Sequence, residues 1–549
     1  MELMTVRELG EQARLMSLPI FLSFVGLVVL LSDLVFNRED ERRWPAYLTM
    51  AGLVGGLFLW LQSWLLYHDP AVAPENAFFA QLRRILGVQP LTEPQPLFNG
   101  MYDPFGPFGM TLLISLIVVV VALIVVLIAP PYLERHDLQR GEFYALILFA
   151  TVGLIFMAGS NHLIMVFLGI ELLSLPLYIL AGFARPALRS MESALKYFLL
   201  GSFSSGILLY GIALTYGATG TMSLAQISEL TIADFVEQTN AVLGVPGGGV
   251  NLMLFAGFLL MLVGVGFKLA LAPFHQWTPD VYEGAPLPVT AFMVSGTKVG
   301  AFAILINLLI GFRVLFEWWT PILVALAVLT MLVGNIGAIL QRNIKRMLAY
   351  SSIAHAGYIL VGIAGLGAFQ TAGLIIPGLI FYLAVYALMN LGAFATLIQL
   401  GGAAGREVVE LEDFAGLGRE HPVLGLLLGF FLLSLAGFPP TAGFFAKFFL
   451  FSGAILGNQI WLVVLAIVLS VVSIFYYARF IVAMFMTPRA ATEEVGHATE
   501  TDEEVIEPVL APVSYGARPS RMVGAAIFVT TLLILGLGIY PNPLLSLFQ

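Results

Sequence analysis

Lys196, Lys268, Lys298 and Lys447 each stand inside a stretch otherwise apolar enough to cross a membrane, and Glu171 stands in a fifth. An ionisable group near the bilayer centre costs about 2.5–3.5 kcal/mol on insertion scales. Such residues are rare, face a protein interior or a wet cavity, and are functional by default. One acid and four amines held this way suit stepwise proton transfer. Low dielectric favours their neutral forms, and an opposite charge nearby favours the charged ones. An acid and an amine that approach or part therefore switch each other's proton affinity.

Each residue also has a plainer reading. Glu171, in Gly169-Ile-Glu171-Leu-Leu-Ser174, either titrates against a lysine or satisfies serine and backbone donors. Lys196 follows Glu192 by four residues, so the two share a helix face. It either joins the series or snorkels to the interface along its alkyl stem. Lys268 has no acid in its own stretch and is too deep to snorkel. His275, seven residues on, would lie about 10 Å up the same face if the helix continued. It is a relay or a loop-facing ring beside Trp277. Lys298 and Lys447 extend the line, against the alternative of static structural amines. His355, in Tyr350-Ser-Ser-Ile-Ala-His355-Ala-Gly-Tyr358, is a relay or a helix–helix hydrogen bond.

The elements that carry these groups are apolar runs of about 20 residues, the length that spans a bilayer core. Fourteen are expected, at roughly 17–36, 46–66, 109–129, 143–159, 162–183, 195–216, 250–272, 287–312, 320–340, 346–366, 371–399, 423–451, 460–486 and 521–541. Longer breaks fall at 67–108, 217–249 and 487–520, the last an acidic linker from Glu493 to Glu507. Of the Lys and Arg outside the spans, about 15 fall on one side and about 5 on the other, and the positive-inside rule makes the richer side cytoplasmic. Both termini are then expected outside. The N-terminus has acids before its first apolar run and no convincing cleavage site, so the first helix is expected to stay as an anchor.

Spans seven and twelve read as broken. One runs Gly264-Val-Gly-Phe-Lys268-Leu-Ala-Leu-Ala-Pro273, the other Gly437-Phe-Pro439-Pro440-Thr-Ala-Gly443-Phe-Phe-Ala-Lys447. Proline removes a backbone donor, and freed carbonyls are tolerated in a membrane only against protein or water. Paired interruptions point to an internal repeat with the ion path at the breaks; the alternative is a simple kink in packed helices. Lys268 and Lys447 stand 179 residues apart. The expected fold is therefore all-α and polytopic, with two five-helix repeats that are inverted because five is odd. The expected parts are 1–140 (three N-terminal helices), 141–312 and 313–487 (one half-channel each), and 488–549 (linker and last helix).

Composition supports a membrane setting: 59% of the residues are hydrophobic and 11% charged, against roughly 25% charged in soluble domains. The absence of cysteine excludes disulfides, zinc–thiolate sites and thiolate-bound iron–sulfur clusters. A net charge of −9 with its acids in loops suggests no nucleic-acid partner.

Several stretches resemble the antiporter-like membrane subunits of respiratory complex I. They are Gly141-Glu-Phe-Tyr-Ala-Leu, Gly169-Ile-Glu171-Leu-Leu-Ser-Leu-Pro, Glu192-Ser-Ala-Leu-Lys196-Tyr-Phe, and Gly266-Phe-Lys268-Leu-Ala-Leu-Ala-Pro-Phe-His275-Gln-Trp-Thr-Pro-Asp280. Ala349-Tyr-Ser-Ser-Ile-Ala-His355, Leu411-Glu-Asp-Phe-Ala-Gly-Leu-Gly and Ser434-Leu-Ala-Gly-Phe-Pro-Pro-Thr-Ala-Gly-Phe-Phe-Ala-Lys447 follow. The likeness is dense over about 140–490. Within the family, Leu411–Leu417 and the lysine at 447 favour the branch that keeps a lysine in span twelve over a sister branch with glutamate there.

The resemblance implies two inverted repeats with a half-channel each. It implies a Glu171–Lys196 or Glu171–Lys268 ion pair at entry, Lys268 and Lys298 as central carriers, and Lys447 as the terminal one. NADH, FMN, iron–sulfur clusters and quinone would belong to partner subunits and none to this chain. The partners would be sister antiporter-like and small membrane subunits, in a bacterial cytoplasmic membrane. A subunit of the related multisubunit cation/proton antiporters and an inert scaffold are the competing readings. The long 67–108 and 487–520 segments depart from the compact family pattern.

Overall fold

The computed structural model describes residues 16–35, 43–67, 109–230, 252–367, 372–401, 407–488 and 519–545. Most of the three long breaks, the Glu493–Glu507 acids included, lies outside them. Backbone polar groups have no water to bond in a hydrocarbon core, so an isolated apolar run must satisfy them within itself as a helix. That is what the chain does. The main helices are α1 (Ser17–Val35), α2 (Trp44–Tyr67), α3 (Met110–Arg135), α4 (Gly141–Gly159), α5 (Leu163–Ala181), α6 (Leu188–Thr219), α7 (Leu252–Leu269) and α8 (Trp277–Gly284). Then come α9 (Leu287–Gly311), α10 (Phe316–Ile339), α11 (Ile344–Ala364), α12 (Ala372–Leu400), α13 (Pro422–Ala436), α14 (Ala442–Leu456), α15 (Ile460–Met486) and α16 (Arg521–Ile539). Among the described residues 12 helices are long and apolar enough to cross a membrane, and α1, α13 and α14 are shorter apolar ones. Helix occupies every expected span, and there is no β-strand among the described residues.

Depth sorts the helices. The apolar windows of α9, α11 and α12 are 94% buried, against 39% for α6, α10 and α15. Groups carried by α9 and α11 are thereby kept from lipid. Small residues let α10 close on the inner helix α11: a Cβ on Gly334 of α10 would lie 2.3 Å from the Ala354 nitrogen of α11, and one on Gly357 would lie 2.8 Å from the Met331 nitrogen. Such close backbone approach is how helices associate without a hydrophobic drive between them.

Both breaks have the same local cause. After Leu269 the chain turns left-handed at Ala270 (φ 57°), with Leu271 N bonded to Gly266 O and Ala270 N to Phe267 O. After Ala436 it does so at Gly437 (φ 87°), with Phe438 N bonded to Leu433 O and Gly437 N to Ser434 O. This double bond pattern is the Schellman stop, and the prolines beyond it forbid immediate continuation. His275 consequently does not sit on the face of Lys268; it stands in the turn between α7 and α8. Span eight holds a feature the sequence reading lacks, a π turn at Met293–Thr297 immediately before Lys298.

A second motif recurs. Leu163 N bonds Met222 O and Leu224 N bonds Asn161 O, tying the loop before α5 to the loop after α6. Ile344 N bonds Val409 O and Leu411 N bonds Arg342 O, tying the loop before α11 to the loop after α12. The bridged residues His162 and Asn343, 181 positions apart, are also the N-caps of α5 and α11.

Candidate functional site: a buried lysine series

Lys268 lies in the last turn of α7 and is 4% exposed. Its Nζ has no hydrogen-bond partner. Aromatic faces surround it, at 5.2 Å to the Tyr197 ring centroid, 5.3 Å to Tyr178 and 5.9 Å to Phe267. Trp277 stacks on Tyr197 and Phe267 and donates its indole N–H to Phe267 O, so the break itself completes this cage. Ring quadrupoles attract an ammonium without accepting its protons. Glu171 lies within electrostatic reach of Lys268, with Oε1 buried and unpartnered.

Lys298, at the end of the π turn, is 1% exposed and donates to Leu269 O (2.9 Å) and Ser352 O (2.8 Å). Leu269 is the last residue of α7. Lys298 therefore caps the carbonyl end of a half-helix, where the helix dipole favours a cation. Lys447 repeats the arrangement. It is 7% exposed and donates to Ala436 O, the last carbonyl of α13, and to Ser470 Oγ, both at 2.7 Å. Each break thus presents its freed carbonyl to a lysine.

Helix α11 links the two. Ser352 accepts from Lys298, His355 follows one turn on, and Tyr358, one turn further, lies under Lys447 with its ring centroid 5.2 Å from Nζ. Residues three apart stack along one helix face. His355 is 1% exposed, with Nδ1 2.6 Å from Tyr382 OH and Nε2 3.4 Å from Tyr477 OH, and Tyr477 bonds Ser351. His275 stands apart from this series, half-buried, with Nδ1 unpartnered.

The entry pair differs from expectation. Among the described residues Glu171 makes no ion pair, and Lys196 pairs elsewhere, with Glu192 (2.6 Å) and Asp280 (2.7 Å). Lys196 is also 40% exposed. Helix α6 starts at Leu188 rather than the expected 195, and Lys196 lies on the face that lines an open cavity with Glu192, Asp280 and Arg346.

The sequence pattern described as NADH:quinone oxidoreductase/Mrp antiporter, TM, matches residues 160–473, more than half the chain. The chain belongs to this family. It is 43% identical over 474 residues to NADH-quinone oxidoreductase subunit N of Trichlorobacter lovleyi, covering 85% of this chain and 86% of that one. It is 40% identical over 513 residues to the subunit N of Chloroflexus aggregans, covering 93% and 95%. Among solved structures it matches a chain of respiratory complex I from Thermus thermophilus with bound aureothin (TM-score 0.70, 32% identity, 96% and 98% covered). A chain of the Mrp complex from Dietzia sp. shares the fold at 21% identity (TM-score 0.71, 98% and 96% covered). The resemblance to complex I antiporter-like subunits read from the motifs is thereby shown, with relatives that are subunit N.

For this family member, sequence reasoning missed a set of charged contacts. Lys345, 1% exposed, donates to Ala285 O (2.7 Å) and Glu407 (2.9 Å), and Glu407 also accepts from Tyr132 OH (2.6 Å). Arg346 donates to Asp280 (2.7 Å) and Glu283 (2.9 Å). Lys345 and Arg346 had counted only toward topology. The signal for Asp280 was its place in the Phe274-His-Gln-Trp-Thr-Pro-Asp280 motif. Ser470, Tyr382 and Tyr477 carried no signal beyond being polar residues in apolar spans. Among the described residues no group of three or more His, Asp or Glu could hold a metal ion.

Proposed function

We propose that this chain is a proton-translocating membrane-arm subunit of an NADH–quinone oxidoreductase. The observation that carries the reading is the continuity of the buried amines. Lys268 and Lys298 flank one turn of broken helix, and Lys298, His355 and Lys447 line successive turns of α11. Buried unpartnered polar atoms are the ones that water serves. Glu171 Oε1, Lys268 Nζ, His275 Nδ1 and Thr278 Oγ1 are such atoms, and they cluster on α5 and at the α7–α8 break.

A proton enters the series as Lys268 gains its charge, favoured when Glu171 is ionised and near. It is lost toward Lys298 when Glu171 is drawn away. Lys298 and Lys447 hold charge against carbonyl ends of half-helices, so each can accept a proton without a carboxylate. His355 passes it between them, because one ring nitrogen can accept while the other donates. Redox chemistry in partner subunits, which hold NADH, FMN, iron–sulfur clusters and quinone, supplies the charge movement that drives Glu171. Sister antiporter-like and small membrane subunits flank the chain, in a bacterial cytoplasmic membrane with both termini outside. The recurring breaks and loop clasps support two inverted five-helix repeats, at 141–312 and 313–487, as the two half-channels. Identity near 40% to the oxidoreductase subunits, against 21% to the Mrp chain, favours this reading over a cation/proton antiporter subunit.

The test is Lys268→Ala in the assembled complex. Removal of the amine is expected to abolish most of this subunit's pumping while assembly persists. Unchanged proton translocation per NADH in an intact complex rejects the reading.

A further inference from the structure

The half-helix α8 is only eight residues long and hangs from the break that forms the Lys268 cage. Ser193 Oγ of α6 donates to Asp280 O (3.1 Å) and Thr290 Oγ1 to Tyr282 O (3.1 Å), and charged contacts hold its cavity side. Asp280 accepts from Lys196 of α6 (2.7 Å) and from Arg346 of α11 (2.7 Å). Glu283, one turn on, accepts from Arg346 (2.9 Å) and faces Arg189 of α6 (3.6 Å). The carbonyl of Ala285, the C-cap of α8, accepts from Lys345 (2.7 Å). Adjacent residues in the first turn of α11 thus hold α8 along its length, Arg346 by its acids and Lys345 by its last carbonyl. A cavity of about 220 Å³ opens at this point, lined by Arg189, Glu192, Lys196, Asp280, Glu283 and Arg346. On the opposite face of α8, Thr278 is fully buried with its hydroxyl unpartnered. Residues two apart on a helix point to nearly opposite sides, so Asp280 faces the cavity while Thr278 faces the interior.

We infer that Arg346, with Lys345, is a positioning residue that holds α8 closed across the mouth between this cavity and the Lys268 cage. The clamp belongs to α11, the same helix whose Ser352 carbonyl accepts from Lys298 and whose Tyr358 ring lies under Lys447. A shift of α11 when those lysines change charge is therefore delivered to α8, and the mouth opens or shuts with the state of the far half of the relay. Both bonds leave one terminal nitrogen of the guanidinium, Nη1, so a single cationic nitrogen holds the two carboxylates together.

This inference deepens the proton-translocation reading and rests on it, but its test does not depend on pumping. The chain has no cysteine, so Thr278→Cys places a single thiol behind α8. The rate of its reaction with a membrane-impermeant charged thiol reagent is measured on this chain in the assembled complex, in inside-out and right-side-out vesicles. With Arg346 in place the thiol is expected to react slowly from both sides. With Arg346→Gln it is expected to react at least tenfold faster, from one side only, and passive decay of an imposed pH gradient is expected to quicken. Arg346→Lys is expected to restore most of the protection. Should Arg346→Gln prevent assembly, Asp280→Asn and Glu283→Gln each remove one arm of the clamp and are expected to raise the rate severalfold. Rates within twofold of the parent across the variants that assemble overturn the inference, whatever pumping does. Faster labelling in a complex that never pumps sustains the clamp and rejects the pumping reading instead.

Discussion

Gly437→Ala separates the position of Lys447 from the stability of the fold. Gly437 sits at φ 87° in the stop that ends α13. Placing a Cβ there costs about 1–2 kcal/mol from the left-handed backbone alone. It also collides with the terminal lysine, because the new atom would lie 2.9 Å from Lys447 Cδ, 3.2 Å from Nζ and 3.3 Å from Cε. Ordinary contact begins at 3.4 Å, so the side chain must retreat by roughly 0.5 Å. Its ammonium is held at 2.7 Å by Ala436 O and by Ser470 Oγ, and that retreat loosens at least one of these bonds. A hydrogen bond to a charged group is worth about 1.5–3 kcal/mol, so transfer through Lys447 is expected to slow by about tenfold or more. Gly220→Ala is the control. Gly220 has φ 70° but nothing within 4 Å of a Cβ, so it carries the backbone cost without the collision. The assay is NADH-driven acidification of inside-out vesicles, divided by NADH oxidation, beside thermal stability of the extracted complex. Both variants are expected to lose similar stability, and only Gly437→Ala to pump less per NADH. Equal pumping by the two refutes the claim that the carbonyl-capped geometry of Lys447 matters.

Two further outcomes follow from partners outside the series. Glu407→Gln strands the buried Lys345 ammonium; breaking a buried pair costs about 3–5 kcal/mol, less here because Glu407 is 21% exposed. The yield of detergent-stable complex is expected to fall, and Lys345→Met added to Glu407→Gln to recover it in part. His162 caps α5, its Nδ1 accepting from Ile164 N (3.3 Å), which requires a neutral ring. Burial holds its pKa below the usual 6.5. A histidine depressed in the fold contributes stability that is whole above its unfolded value of about 6.5 and is lost as pH falls toward and through the folded value. Thermal stability is expected to drop on acidification below that value, and His162→Asn, which caps at any pH, to flatten the dependence. A pH profile unchanged by His162→Asn removes the ring from the explanation.

Legibility divided along the range of each interaction. Lys268, Lys298 and Lys447 were readable because a lone cation in an apolar run is an anomaly visible within twenty residues. The breaks were readable because glycine and proline act on their own turn. The start of α6 was set too late for a local reason as well: Arg189 and Glu192 mask Leu188, Met191 and Leu195, the apolar residues of its first turns. The π turn had no local mark, since Met-Val-Ser-Gly-Thr reads as ordinary helix. The clamp was out of reach altogether. Periodicity pairs residues three or four apart, whereas Arg346 lies 66 residues from Asp280 and Lys345 lies 62 from Glu407. What marks such a pair in sequence is only that both charges abut apolar spans on one side of the membrane. That same feature sets topology, so topology and clamp are superposed in one set of residues. Two of the cations counted toward the proposed orientation, Lys345 and Arg346, are also the ones that contact α8. A substitution there is therefore expected to alter gating before it alters orientation, because orientation is shared among all the loop cations while the clamp rests on two.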